Sequence, residues 1–269
     1  LTEAQGIPGE NVTVSLKAME QDIAGYQANF TFNETVAEVT KIEPVDITGW
    51  TTTESVNNQN GYVSVTGSND TGIDSPHLLD ITYQINDQAS TAASTKVELQ
   101  PEGSSLNDED SFLNTGLENG SIEVLEPAFI DVNVTDTNSP VEEGDTLNVK
   151  ANITNTGEVS DFREIYLNRT DGTTLDSAFV GLEGGESEKV TLRWDTSTNG
   201  TYQLNVSSKD DTATESVTVL EPADFDVQVL NTNEPVNATE TLNITARIEN
   251  LGEVTDEQNV TLTVNQSIG

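Results

Sequence analysis

Few residues in this sequence have the chemistry that catalysis requires. There is one histidine, His77, at the start of the segment HLLDITYQI, and there is no cysteine. A catalytic triad built on histidine would have to include His77, and we interpret this residue instead as part of a turn or a strand edge. A carboxylate pair can hydrolyse glycosidic bonds, but with 47 aspartates and glutamates any chosen pair is uninformative. We predict that the chain is not an enzyme and has no catalytic or cofactor-binding residue.

Two acidic segments are candidate calcium sites. Asp108, Glu109 and Asp110 are consecutive in SLNDEDSF, and Asp70 and Asp74 lie close together in SNDTGIDS. Carboxylate oxygens suit Ca²⁺, but neither segment has the spaced aspartates, the glycine and the distal glutamate of an EF-hand loop. The favoured interpretation is a solvated acidic loop, and Ca²⁺ bound by Asp108, Glu109 and Asp110 is the alternative. We predict no other cofactor.

Aromatic residues in the first half of the chain could form a sugar-binding platform. They are Tyr26, Trp50, Tyr62 and Tyr83. Aromatic side chains in small β domains more often belong to the core, and this is how we interpret Trp194 as well. No glycine-rich loop follows a strand and begins a helix, so the sequence does not favour nucleotide binding.

The net charge restricts the partners of the chain. Lys and Arg number 10 against 47 Asp and Glu, so the formal net charge is −37. Nucleic acid and anionic lipid are repelled by such a field and are not predicted partners. In molar salt the screening length falls to about 3 Å, and the acidic residues then repel one another little. Abundant Asp, Glu and Thr with scarce Lys resembles halophilic, archaeal surface proteins, and an ordinary acidic secreted protein is the alternative.

Sequons for N-glycosylation are more frequent than the Ser and Thr content would give by chance. No run of 18 apolar residues is present, so we predict no membrane insertion within this chain. The first residue is Leu1, which we interpret as the start of a mature or excerpted form of an exported, cell-surface glycoprotein. The predicted glycosylation sites are Asn11, Asn29, Asn33, Asn69, Asn119, Asn133, Asn152, Asn168, Asn199, Asn205, Asn237, Asn243, Asn259 and Asn265.

Alternation of apolar and polar residues predicts strands throughout 128–220. In TLNVKANIT, residues Leu147, Val149, Ala151 and Ile153 share one face and polar residues share the other. The segments DG, EGGE and TNG supply turn residues between such runs. About seven strands follow, which is the number in an immunoglobulin-like sandwich. They are predicted at 129–137, 146–155, 162–168, 175–182, 188–195, 201–208 and 214–220.

Three motifs accompany these strands: Asn155-x-Gly157, Leu182-x-x-Gly185-Glu186 and Gly200-x-Tyr202-x-Leu204. Together they resemble the CARDB family, a cell-adhesion-related domain of bacterial and archaeal surface proteins. The resemblance covers 127–220 and, in part, 222–269. It implies an immunoglobulin-like fold and identifies no activity.

The first 125 residues contain strand-like segments of a different kind. The pattern IAGYQANFTFNETVAEV, from Ile23 to Val39, is followed by LLDITYQI and by a closing NGSIEV. This order resembles the cohesin domain across about 5–125 and implies a nine-stranded jelly-roll sandwich. Cohesins bind dockerins through one sheet face, but no dockerin-like segment is present in this sequence. The resemblance therefore implies the fold more directly than the partner.

An internal repeat sets the domain organisation. LEPAFIDVNVTDTNSPVEEGDTLNVKANITNTGEV (125–159) aligns without gaps on LEPADFDVQVLNTNEPVNATETLNITARIENLGEV (220–254), an offset of 95 residues. Such a repeat is a whole domain, because solenoid units are roughly 20–50 residues long. We predict an all-β chain of tandem antiparallel β-sandwiches: a cohesin-like jelly roll at 1–126, an immunoglobulin-like CARDB domain at 127–221 and an incomplete second CARDB repeat at 222–269.

The incomplete repeat would leave apolar residues open to water. Leu242, Ile244, Ala246 and Ile248 share one face of a predicted strand. Either the natural chain continues, which we favour, or a neighbouring copy supplies the missing strands. Proline at 127 and at 222 fixes φ, so we expect short and fairly stiff joints between domains.

These features lead to three functional hypotheses. The first is a non-catalytic extracellular structural or adhesive protein of a halophile, whose domains give reach and contact in a filament, a surface layer or a virion. The second is a cohesin-type receptor that docks a partner protein. The third is the accessory part of a larger secreted enzyme. The predicted partner is another protein or other copies of the chain in a surface assembly.

We expect the folded chain to be more stable in molar salt. Raising KCl from about 0.1 M to about 2 M should move the thermal unfolding transitions upward by several degrees, because screening weakens repulsion between carboxylates. Scanning calorimetry of the full chain measures this shift. Sucrose at matched osmolality is the control and should have a smaller effect. Transitions that stay constant or fall with KCl would contradict the interpretation of the acidic surface.

Overall fold

The computed structural model describes residues 1–20, 22–107, 112–113 and 116–263, and these are mostly β-strand without any α-helix. The strands build antiparallel sandwiches around two separate cores, which confirms the predicted fold class. Internal contacts divide the chain into two units, Leu1–Ala128 with Gly157–Val159 and Phe129–Thr156 with Ser160–Gly269. Within the described ranges, no helix is long and apolar enough to cross a bilayer. The domain boundaries at 126/127 and 221/222 stay predictions.

The first sandwich packs a large sheet against a small one. Its strands are β1 (Glu3–Gly6), β2 (Asn11–Lys17), β3 (Ile23–Thr31), β4 (Ala37–Pro44), β5 (Thr51–Asn57), β6 (Tyr62–Ile73), β7 (His77–Ile85), β8 (Ser94–Leu99), β9 (Ser105–Asn107), β10 (Phe112–Leu113) and β11 (Gly120–Val124). The large sheet has the order β1-β11-β8-β3-β6-β5, with β9 on β3 and β10 on β9. The small sheet has the order β2-β7-β4.

Alternate residues of these strands form the core. In β7, Leu79, Ile81, Tyr83 and Ile85 are fully buried, while the residues between them face outward. Strand β5 differs, because all of its residues are exposed and it pairs only with β6 at the edge of the sheet. Without a buried face it has no apolar alternation, and the sequence analysis did not predict it.

The second sandwich contains the seven predicted strands, with ends that differ by at most two residues, and one short additional strand. They are β12 (Ile130–Thr137), β13 (Val141–Glu142), β14 (Thr146–Asn155), β15 (Asp161–Arg169), β16 (Thr174–Leu182), β17 (Ser187–Asp195), β18 (Gly200–Ser207) and β19 (Thr212–Leu220). One sheet has the order β12-β14-β17 and the other β13-β19-β18-β15-β16. The additional strand is β13, which has two residues and pairs in parallel with β19.

Carboxylates cover the outer edge of β12. The Ile130 N–H donates to Asp210 Oδ2 at 3.1 Å, and the Val132 N–H donates to Asp211 Oδ2 at 3.0 Å. The bond from Val132 is the main cause that lowers the pKa of Asp211 below its ordinary value. These bonds occupy backbone donors that would otherwise be open to another strand.

The incomplete repeat forms one hairpin of β20 (Phe225–Thr232) and β21 (Ile244–Asn250). Its register repeats that of β12 and β14 at the offset of 95 residues, and both hairpins have a bulge at the same place. Of the expected apolar face, Leu242 is 40% exposed and Ile248 is 49% exposed. Residues 256–264 correspond to β15 at this offset, and the described part of that segment, 256–263, forms no strand.

The asparagine of the N-x-G motif bridges backbone segments in both repeats. Asn155 is buried, its Oδ1 accepts the Phe129 N–H at 3.3 Å, and its Nδ2 donates to the Leu182 carbonyl at 3.3 Å. At the equivalent position Asn250 Oδ1 accepts the Asp224 N–H at 3.1 Å. The side chain therefore joins the end of one strand to the start of its partner.

The glycine of the same motif allows a close backbone approach. A Cβ on Gly157 would lie 2.0 Å from the Pro127 carbonyl oxygen, and one on Gly252 would lie 1.8 Å from that of Pro222. A side chain at either position would force the backbone apart.

We expect the substitution Gly61→Ala to destabilise the first sandwich by about 3 kcal/mol or more. Gly61 has a φ of 57°, and an added Cβ would lie 1.9 Å from the Phe32 carbonyl oxygen. Gly49→Ala is the control, since Gly49 also has a positive φ but no atom lies within 4 Å of the added Cβ; its cost should be about 1–2 kcal/mol.

Hydrogen exchange of peptides from β3 and β6 measures both effects, with peptides of the second sandwich as the internal reference. Equal exchange in the two variants would show that the close approach to Phe32 does not matter.

Candidate interaction surfaces

The single histidine lies in a small hydrogen-bonded group on the outer face of the small sheet. Ser15 in β2 and Asp80 in β7 are direct cross-strand partners. The Ser15 hydroxyl donates to Asp80 Oδ1 at 2.6 Å, and His77 Nε2 lies 2.7 Å from the same oxygen. The group fastens β2 to the start of β7.

This arrangement is not that of a hydrolase. In a serine triad the imidazole lies between the hydroxyl and the carboxylate, so that it can take the hydroxyl proton. Here the carboxylate lies in the middle, and the Ser15 hydroxyl donates to Asp80. The bond from Ser15 is the largest cause that lowers the pKa of Asp80, and the bond to His77 acts in the same direction.

Calcium binding by Asp108, Glu109 and Asp110 stays a prediction. Asp108, Glu109 and Asp110 lie outside the described residues. Of the second acidic segment, Asp74 accepts the Asp22 N–H at 2.9 Å, which uses its carboxylate in a turn. No group of three or more His, Cys, Asp or Glu residues within the described ranges could hold a metal ion.

The aromatic residues considered for a sugar platform are mostly core residues. Tyr26, Trp50 and Tyr83 are buried, and Tyr62 is half-buried. Burial, followed by the nearby charge of Glu54, raises the pKa of Tyr26 to about 12. Trp194, interpreted as core, is also buried and meets Tyr202 edge to face at 4.9 Å between ring centroids.

Exposed aromatic rings occur instead in the second sandwich. Phe162 in β15 is 69% exposed and Phe179 in β16 is 62% exposed. Their rings are nearly parallel, with 5.4 Å between centroids and 6° between planes. A sequence signal exists for Phe162, because its parity in β15 is opposite to that of the inward residues Ile165 and Leu167 and therefore outward.

The outer face of the large sheet in the first sandwich is polar and mostly uncharged. We define the polar face as the outward residues of β5, β6, β3 and β8. They alternate with buried residues such as Val63, Val65 and Val97. Members of the polar face include Gln27, Thr53, Ser55, Ser64, Thr66 and Glu98. Rows of hydroxyl and amide groups on one face of a sheet can make many hydrogen bonds to a protein partner.

The sequons differ in their accessibility. Asn29 is 8% exposed, its amide donates to the Gly103 carbonyl at 3.0 Å, and its Oδ1 accepts from Ser64 at 2.7 Å. A glycan on Asn29 would have to break these bonds, so we leave it out of the glycosylation proposal. Asn265 lies outside the described residues. The other twelve sequon asparagines are exposed or half-buried.

Comparison with known domain families identifies both parts of the chain. Residues 1–124 match the family model of the cohesin domain, and residues 126–217 match that of CARDB. The matches confirm the two resemblances and their order. Both families are non-catalytic interaction domains. A search of curated proteins finds no match.

Several solved structures are similar to parts of the chain. The third cohesin of ScaC from Acetivibrio cellulolyticus, solved with the ScaB dockerin, is 18% identical over 46% of this chain and 94% of its own, with a TM-score of 0.42. A non-cellulosomal cohesin from Archaeoglobus fulgidus is 14% identical over 46% and 86%, with a TM-score of 0.40. A β-glucosidase from Listeria innocua is 16% identical over 34% of this chain and 16% of its own, with a TM-score of 0.29.

We expect Ser15→Ala to raise the pKa of Asp80 towards its ordinary value, because the main bond to the ionised form is lost. In the wild type the folded pKa of Asp80 is below the unfolded one. Its stabilisation is therefore complete above the unfolded pKa and is lost as the pH falls through the folded pKa. Acid unfolding of the first sandwich should then begin at a higher pH in the variant.

Carboxyl ¹³C NMR titration measures the pKa of Asp80, and hydrogen exchange follows the unfolding. Thr13→Ala, an exposed substitution two residues away on the same face of β2, is the control. An unchanged pKa of Asp80 in Ser15→Ala would show that another contact sets it.

Proposed function

We propose that this chain is a non-catalytic, extracellular structural or adhesive protein of a halophile. In this proposal the tandem sandwiches give reach, and the polar face of the first sandwich contacts a protein in a surface assembly such as a filament, a surface layer or a virion. The observation that supports it most is the succession of a cohesin match and a CARDB match in one chain, since both are interaction families.

The geometry of the described residues agrees with a role in contact rather than in reaction. The lone histidine contacts the Asp80 carboxylate that binds Ser15 across the strands, and Asp210 and Asp211 accept backbone N–H groups of an edge strand. Hydroxyl and amide groups on the polar face are oriented by a rigid sheet, so a partner can be bound without reordering the backbone.

A second candidate function is a cohesin-type receptor with one defined partner. The cohesin match over 1–124 favours it, because a solved cohesin with a similar fold was captured with a dockerin. The two candidates share the polar face and differ in whether one partner or several copies of the chain occupy it.

The net charge and the sequons also support the proposal. With a net charge of −37, the protein suits high salt, where the charges are screened. The accessible sequons, Asn29 excepted, are proposed glycosylation sites of an exported protein.

The absence of cysteine from the sequence allows a direct test of the polar face. A photo-crosslinker is placed on Ser55→Cys, which lies on the polar face, or on Thr13→Cys, which lies on the outer face of the small sheet. Added to the native surface extract in molar KCl, the Ser55→Cys protein should give a discrete crosslinked product and the Thr13→Cys protein should not.

Competition with unlabelled chains measures how much the polar face contributes to binding. Unlabelled wild-type chain should suppress the product, and unlabelled Ser55→Arg should compete at least tenfold less well. One crosslinked partner would favour the receptor, and products made of the chain itself would favour self-assembly. Identical products from both labelled positions would refute contact through the polar face.

A further inference from the structure

The exposed aromatic rings of the second sandwich are the feature that the proposed function does not use. They lie on the outer face of the sheet β13-β19-β18-β15-β16, at its β15–β16 edge. Phe162 is paired with Gly181, and a Cβ on Gly181 would lie 3.2 Å from the Phe162 ring. The glycine therefore lets the Phe162 ring lie over the strand, beside the parallel ring of Phe179.

We call Phe162, Phe179, Glu164 and Tyr166 the aromatic row, in which Glu164 is the polar member. Glu164 lies between the phenylalanines and Tyr166 on the same face, and its two carboxylate oxygens accept the Tyr166 hydroxyl at 2.5 Å and the Ser177 hydroxyl at 2.8 Å. A carboxylate has about four acceptor sites, so Glu164 is held in place with acceptor capacity left for a ligand. The row from Phe162 to Tyr166 is roughly 13 Å long, the length of a short oligosaccharide.

The outward residues of this row are not retained at the offset of the internal repeat. At the offset of 95 residues the inward residues Ile165 and Leu167 become Val260 and Leu262, which keeps the apolar pattern. The outward residues Phe162, Glu164 and Tyr166 become Glu257, Asn259 and Thr261. Packing in the core accounts for the first pair, whereas the outward three lie outside the core and are available to a ligand.

We propose that Phe162, Phe179, Glu164 and Tyr166 bind a neutral polysaccharide. Aromatic faces stack on the apolar C–H faces of pyranose rings, and an oriented carboxylate accepts hydrogen bonds from their hydroxyl groups. The row exposes roughly 300 Å² of ring surface, well below the about 800 Å² per partner of a stable protein interface. Glu164 places a negative charge within the row, so an acidic polymer is repelled and a neutral chain is favoured.

Calorimetric titration tests this with cellohexaose, maltohexaose and mannohexaose as probes and trigalacturonate as the acidic control. The full chain is produced without N-glycans, so that the probe is the only sugar. We expect binding of at least one neutral hexasaccharide, no binding of trigalacturonate, and a loss of at least tenfold in affinity in the double variant Phe162→Ala/Phe179→Ala. Glu164→Gln should weaken binding several-fold while retaining the fold.

Phe129→Ala is the matched control, because Phe129 is a 46% exposed phenylalanine that precedes β12 in the other sheet of this sandwich; its affinity should equal that of the wild type. Failure of all three neutral probes to bind, or equal binding by the double variant, would overturn the proposal. Association between copies that the double variant abolishes in sedimentation would overturn it as well. None of these outcomes bears on the polar face of the first sandwich.

Discussion

Burial of alternate apolar side chains between two sheets is the interaction on which both sandwiches depend. The sequence has no cysteine and therefore no disulfide, and burial of apolar surface stabilises the two cores by about 25 cal/mol per Å². In β14 the inward residues Leu147, Val149, Ala151 and Ile153 are all fully buried. Because a strand commits only every second residue to the core, its outward residues are free to carry charge, hydroxyl groups or exposed rings.

This division explains how much of the structure could be predicted from the sequence. Strands with one buried face, such as β14 and β17, have strict alternation and were predicted nearly to the residue. Strand β5 has no buried face, and β13 has two residues, so neither has a periodic signal. Surface sites are harder to predict from the sequence than strands. Outward parity shows that a side chain such as Phe162 is exposed, but it does not show that a neighbouring strand places Phe179 beside it. The interpretation of Tyr26, Trp50 and Tyr83 as core residues is confirmed, so these three do not form the alternative sugar platform.

The internal repeat distinguishes residue positions that have a structural role from positions that vary. Positions with a structural reason recur after 95 residues: the asparagine that bridges two strand ends, the glycine that a carbonyl oxygen approaches, and the bulge in the first strand of each hairpin. These contacts are local to the hairpin, which is why β20 and β21 keep the same register although their apolar residues are exposed. Positions on the outward side vary, since no neighbour constrains them.

Electrostatics then determines which outward surfaces can bind. Charged contacts weaken as salt screens them, whereas hydrogen bonds between uncharged groups and stacking on aromatic rings depend little on ionic strength. Both surfaces proposed for binding are of the second kind: the polar face carries mainly hydroxyl and amide groups, and the aromatic row carries rings beside one carboxylate that is already hydrogen-bonded. In the high salt that we propose for this protein such contacts persist, because screening weakens interfaces built on ion pairs.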